Sequence, residues 1–163
     1  MRDGAHYARV LQVFAAFLAA WEPSVHTALP KWQGWLAARS RRAFLQQDLR
    51  HLGQPAPFPV AWAGFASPAA AWGSVYVIEG SALGGQFICR SLAQAGLHAH
   101  NGAAYFHGWG DATAGLWRET RAMLSAQLGS AAALDQACDG ARLTFDGLSS
   151  LLESIPHERT ALA

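Results

Sequence analysis

The 163-residue chain is short of charge, lysine, cysteine and long apolar runs, and each shortage removes a class of protein. Charged residues make up 14% and the net charge is +1. No basic face is available to neutralise a phosphate backbone, so nucleic acid is not expected as a partner. No apolar run reaches the ~18 residues that a bilayer crossing needs, so no membrane span is expected either. The first residues lack the charged region, apolar stretch and small-residue cleavage site of a leader, which makes the cytoplasm the expected compartment. Cys89 and Cys138, the two cysteines, stand far apart in no redox or metal spacing and read as buried, reduced thiols. Lys31 is the single lysine; the other eleven cations are arginines, suited to two-point capture of carboxylates and phosphates. Alternation of period two is nowhere sustained, so no strand is predicted.

What is present is apolar and helical. Hydrophobic residues make up 52% of the chain, and a chain of this length can bury roughly 70% of its unfolded surface without staples. The expected architecture is an all-α, single-domain bundle over residues 1–163, with 155–163 as a flexible tail. Asp3 is placed to cap a helix whose apolar positions, Tyr7 to Trp21, keep the three-and-four spacing and end near Glu22-Pro23. The spacing predicts a second helix from Trp35 to Leu52, with Leu36, Phe44, Leu45 and Leu49 inward, Arg39, Arg41, Arg42 and Arg50 outward, and Gly53 closing it. Ser67-Pro68 opens a third that runs to Ala95. Leu97 to Gly110 reads as a polar, glycine-punctuated loop; Asp111 or Thr113 then caps a helix ending at Gly129, and Ser130 caps the last, which Pro156 breaks.

The third helix holds the most informative stretch, AWGSVYVIEGSALGGQFICR, from Ala71 to Arg90. Gly80, Gly84 and Gly85 sit inside its apolar pattern, each costing roughly 1 kcal/mol against alanine in a helix interior. Two readings account for them: a crossing point where another backbone comes close, or a helix laid against a flat ligand with no Cβ in the way.

Other chemical candidates are weaker. His98, His100 and His107 fall in a loop without a carboxylate partner, Glu22/His26 and Glu153/His157 lack the four-glutamate di-iron pattern, and Ser81 has no nucleophile-elbow context. Gly84-Gly85 does not follow a strand, so no dinucleotide fingerprint is present. Arg118 and Arg121, one turn apart beside Trp117, are either a solvated face or a paired anion clamp. Phe145 reads from its spacing as a core residue.

Together, YVIEGSALGGQFI at Tyr76 to Ile88, GAAYFHGWG at Gly102 to Gly110 with Trp117-Arg118 after it, and ARLTFDGL at Ala141 to Leu148 resemble the bacterial biliverdin-producing heme oxygenases, the phytochrome-associated group above all. The resemblance covers Asp3 to about Leu152. It implies a heme oxygenase fold and oxidative cleavage of heme, both substrate and cofactor, to biliverdin, CO and ferrous iron, with O₂ and electrons from ferredoxin or another reductant. Implied partners are an electron-donor protein and a bacterial phytochrome as biliverdin acceptor. By match, Gly80, Ser81, Gly84 and Gly85 are the catalytic stretch where main chain nears the iron; Tyr76, Gln86, Arg118, Arg121 and Phe145 contact heme, the arginines at its propionates. Ser81 stands where animal members of the family carry an aspartate. The family's iron-ligating histidine lies on a helix preceding the one that matches Tyr7 to Trp21. The chain starting at Met1 therefore implies a missing proximal helix, with His6 as a substitute only if the bundle rearranges. An exposed apolar groove is expected there, open to self-association or a partner helix. The alternative in the same fold is a non-catalytic relative that binds a tetrapyrrole or a partner helix.

Overall fold

The structure, a computed structural model, describes residues 4–155, and the expected Asp3 cap, Pro156 stop and most of the 155–163 tail lie outside them. Among the described residues every regular element is helical: α1 (Gly4–Ala28), a 3₁₀ turn (Pro30–Trp32), α2 (Gln33–Ala37), α3 (Arg42–His51), α4 (Pro68–Gln94), α5 (Ala104–His107), a second 3₁₀ turn (Gly110–Ala112), α6 (Thr113–Gln127) and α7 (Ala131–Glu153). This is the all-α architecture that the periodicity predicts. No described helix is long and apolar enough to cross a membrane.

The caps at Ser67 and Ser130 form as expected, their hydroxyls accepting from the Ala70 and Ala133 amides at 3.2 and 3.1 Å. Neither Asp111 nor Thr113 caps α6. Ala112 holds that place, and the 3₁₀ turn leads directly into the helix.

Three boundaries differ from the sequence reading, each because burial overrode a local signal. α1 does not stop at Pro23 but continues to Ala28. Val25 and Leu29, almost fully buried, hold the chain beyond the proline, and the Thr27 hydroxyl donates to the Pro23 carbonyl at 2.9 Å. The expected second helix is two helices with a corner at Ala38–Arg41. Arg39 and Arg41 turn inward at that corner, 8% and 3% exposed, rather than outward. The loop Leu97–Gly110 contains α5, whose Ala104, Tyr105 and Phe106 are buried with Ala103 before them.

Asp48 is the reason α5 exists. Its two carboxylate oxygens accept from the Ala104 and Tyr105 amides, both at 2.8 Å, capping a one-turn helix from 56 residues away. Burial pushes the Asp48 carboxyl above its ordinary value, although the two amides and His51 pull the other way. Asp48→Asn points an NH₂ at an amide donor, so we expect a loss of about 2–3 kcal/mol in urea unfolding at neutral pH, with α5 amides exchanging first.

α4 is the central helix. It meets α7 where Gly73 faces the Ala137 carbonyl and Gly140 faces the Ala70 carbonyl; a Cβ would lie 1.7 Å from one oxygen and 2.0 Å from the other. A polar line tightens the crossing: Trp21 Nε1 donates to Ser74 Oγ at 2.6 Å, Ser74 and Thr144 share a 2.6 Å hydrogen bond, and Thr144 reaches the Gly140 carbonyl at 2.8 Å. On the other side α1 and α3 close the core with Tyr7, Leu11, Phe17, Leu18, Leu45 and Leu49.

Candidate functional site

The face of α4 turned away from α1 carries Tyr76, Gly80, Leu83, Gly84 and Phe87, which at 3.6 residues per turn form one stripe. Its large residues are exposed: Tyr76 51%, Leu83 39%, Phe87 74%. Together they form an exposed apolar strip along the central helix, an arrangement more typical of an interaction surface than of a solvated helix face.

The glycines do three different things. A Cβ at Gly84 would meet nothing within 4 Å, so this position is bare towards open space. A Cβ at Gly80 would press on the Trp117 ring at 3.3 Å, and Trp117 also packs on Tyr76 with ring centroids 5.3 Å apart. A Cβ at Gly85 would come within 2.8 Å of the Phe106 carbonyl, making it a crossing point with α5. The crossing-point reading therefore holds at Gly85, while Gly84 leaves its main chain open to the surface.

Beside the stripe, α4, α6 and α7 enclose an open groove of about 520 Å³ lined by Gly73, Tyr76, Arg121, Leu124, Ser125, Leu128, Leu134, Ala137, Cys138 and Ala141. Arg121 lies in its wall, and Arg118, exposed one turn earlier, continues that edge of α6. Phe145 is not in the core as its spacing predicts: it is 61% exposed, one helical step beyond the Leu134–Cys138–Ala141 edge. Cys138, expected to be buried, is exposed on the same edge, whereas Cys89 is half-buried and burial raises its thiol. A second open groove of about 630 Å³ runs between α1, the 60–63 segment and α7, lined by Phe17, Trp62, Leu143 and Leu151 among others.

Two site candidates have their polar groups already engaged. Gln86 Nε2 donates to the Gly110 carbonyl at 2.9 Å. Ser81 Oγ donates to the Ile78 carbonyl at 2.6 Å and accepts from Arg41 Nη2 at 2.7 Å, so its hydroxyl faces the rear of α4. His6 falls in the first turns of α1, and neither groove has a histidine in its lining.

Sequence reasoning missed what lies behind α4. Arg41 donates to the Ile78 carbonyl at 2.6 Å and sits over the Tyr105 ring at 4.9 Å. Arg39 stacks on Trp35 at 3.8 Å, pairs with Glu119 at 2.5 Å and lies 3.7 Å from Glu79. Burial raises the Glu79 carboxyl, and Arg41, Arg39 and a bond from Thr120 oppose that shift. The signal was available: no apolar residue larger than alanine occurs between Leu36 and Phe44, two turns in which an amphipathic helix would need one.

These features define an all-helical protein with an exposed apolar stripe on one glycine-bearing central helix. The heme oxygenase family model matches residues 22–154. A protein named heme oxygenase from Xanthomonas campestris pv. campestris (strain 8004) is 40% identical over 147 residues, covering 88% of this chain and 86% of that one. This chain belongs to the heme oxygenase family. In fold it is similar to the NO- and CO-bound heme oxygenase of Neisseria meningitidis, with a TM-score of 0.76 at 22% identity over 93% of this chain and 77% of that one.

The residues present suit one face of a heme. The open position at Gly84 admits a flat ring, Tyr76, Leu83, Phe87 and Phe145 offer apolar area, and Arg121 supplies a cation at the edge. An axial base for iron is not among the groove-lining residues.

Proposed function

We propose that the protein binds heme against the α4 stripe and opens it oxidatively to biliverdin, releasing CO and ferrous iron, with O₂ as oxidant and ferredoxin or another reductant as electron source. The observation that supports this reading is the bare main chain at Gly84 amid exposed Tyr76, Leu83 and Phe87, in a chain of this family. When bound, heme supplies the iron chemistry and is itself consumed. The chain's own part is to hold and orient it. Gly84 keeps a side chain off the ring, Gly80 makes room for Trp117 beside it, Tyr76 and Phe145 pack on it, and Arg118 and Arg121 face its carboxylates. Gly85 fixes α4 on α5, and Ser81 and Gln86 act through their bonds to the main chain. Partners under this reading are an electron-donor protein in the cytoplasm, a bacterial phytochrome that takes the biliverdin, and a second copy of the chain.

Hemin titration tests the proposal. A saturable Soret band on adding hemin, followed by CO and a biliverdin spectrum on adding reductant and O₂, is the expected result. Broad, unligated spectra without turnover would assign the chain to a binding-only relative. Arg118, being exposed, is screened: Arg118→Ala should weaken hemin binding by no more than ~1 kcal/mol, about fivefold. Arg121, also exposed but lining the groove, should cost at least as much when replaced by alanine in the same titration.

A further inference from the structure

The outer stripe of α4 can present its main chain to a flat ligand only if something fixes that main chain from behind. The bonds behind it converge on residues 78–81. Arg41 reaches this segment from the corner between α2 and α3, with its side chain buried. One nitrogen, Nη2, donates to both the Ile78 carbonyl, at 2.6 Å, and the Ser81 hydroxyl, at 2.7 Å, while Ser81 donates to the same carbonyl at 2.6 Å. The three groups close a triangle around one helical carbonyl.

Extra donors on a carbonyl inside a helix compete with its own i+4 amide and tilt the helix at that point. Here the i+4 residue is Ala82, flanked two positions away on either side by Gly80 and Gly84, which lack a Cβ to stiffen the chain. The guanidinium itself has little freedom. Tyr105 lies under it, and the Tyr105 amide is bonded to Asp48. Glu79, on the intervening turn, supplies the opposite charge. A leucine or methionine would fill the same volume without burying a charge, so the arginine's distinctive contribution is this directed bond.

We propose that Arg41 is a positioning residue for the binding face: through the Ile78 carbonyl and the Ser81 hydroxyl it sets the height and register of the Gly80–Gly84 main chain. The inference rests on the heme-binding reading for its consequence, but the structural claim is testable without it. Arg39 provides a matched control. It is also buried and ion-paired, yet it donates to the Glu119 side chain and lies near the Glu79 carboxylate rather than bonding the α4 main chain.

The test compares Arg41→Met with Arg39→Met, by amide hydrogen exchange without ligand and by hemin titration, at a temperature where circular dichroism shows both folded. In Arg41→Met, amides 80–85 should exchange about tenfold faster than in Arg39→Met, and hemin affinity should fall about tenfold further. Arg41→Lys, which keeps a donor and the charge, should recover part of both. If Arg41→Met does not fold, Arg41→Lys is read against wild type, with a smaller shift of the same kind expected. Ser81→Ala combined with Arg41→Met should add little, because both act on one carbonyl. Equal exchange at 80–85 in the two methionine variants, or in Arg41→Lys and wild type, overturns the proposal. Absence of hemin binding by the wild type defeats the heme reading alone and leaves the exchange comparison to decide Arg41.

Discussion

Gly84→Leu is expected to abolish hemin binding, by a hundredfold or more, while leaving the bundle as stable as wild type or slightly more so. The two effects have opposite signs for one structural reason. A Cβ at Gly84 meets nothing within 4 Å, so no packed neighbour resists the new side chain. Replacing a mid-helix glycine with leucine favours the helix by about 0.8 kcal/mol. The leucine, however, stands up from the stripe between Gly80 and Phe87, on the surface proposed to hold the ring. Displacing a ligand by roughly a methyl layer forfeits its contacts over that whole face. Circular dichroism, urea unfolding and hemin titration on one preparation check the claim. Unchanged hemin affinity would remove the site from this face, whereas loss of fold would show that Gly84 is packed.

The opposite outcome belongs to Gly140→Ala and Gly73→Ala. Each adds only a methyl group and gains the same helix propensity. Each methyl would land 2.0 or 1.7 Å from a backbone carbonyl oxygen of the facing helix. Neither carbonyl can rotate away as a side chain could, so α4 and α7 must separate. Separation also strains the Trp21–Ser74–Thr144 line that runs through the crossing. We expect a loss of about 3 kcal/mol or more in urea unfolding, a large share of the 5–15 kcal/mol that holds a domain of this kind together. A shift below 1 kcal/mol would show that the two helices do not approach this closely. The pair of results separates glycines that hold the fold from a glycine that is free of packing and proposed to face the ligand.

Much of the fold was legible because apolar spacing and capping are local. The Ser67 and Ser130 caps lie where the sequence put them, with α4 and α7 following. Misreadings occurred where a residue's partner is far away in the chain. Pro23 is locally a stop, but distant residues bury Val25 and Leu29 beyond it. Arg39 and Arg41 look like surface cations until the Glu79, Glu119 and Ile78 acceptors, about 40 to 80 residues away, come beside them. Tyr105 and Phe106 look like loop aromatics until Asp48 caps the turn that carries them. Phe145 and Cys138 have core-like spacing on an amphipathic helix, yet the edge they share borders an open groove, which no periodicity can reveal.

By itself, then, the sequence determined an all-helical chain, its long elements, the glycine-bearing helix as the informative one, and through its motifs the heme oxygenase family. Those features depend on residues within a few turns of one another, or on the order of motifs along the chain. Only the tertiary structure assigned the glycines their separate tasks, turned two arginines inward, and left one stripe of α4 bare. Whether a position is crowded, charged or open depends on which distant backbone folds against it, and that is fixed by packing rather than by neighbours in sequence.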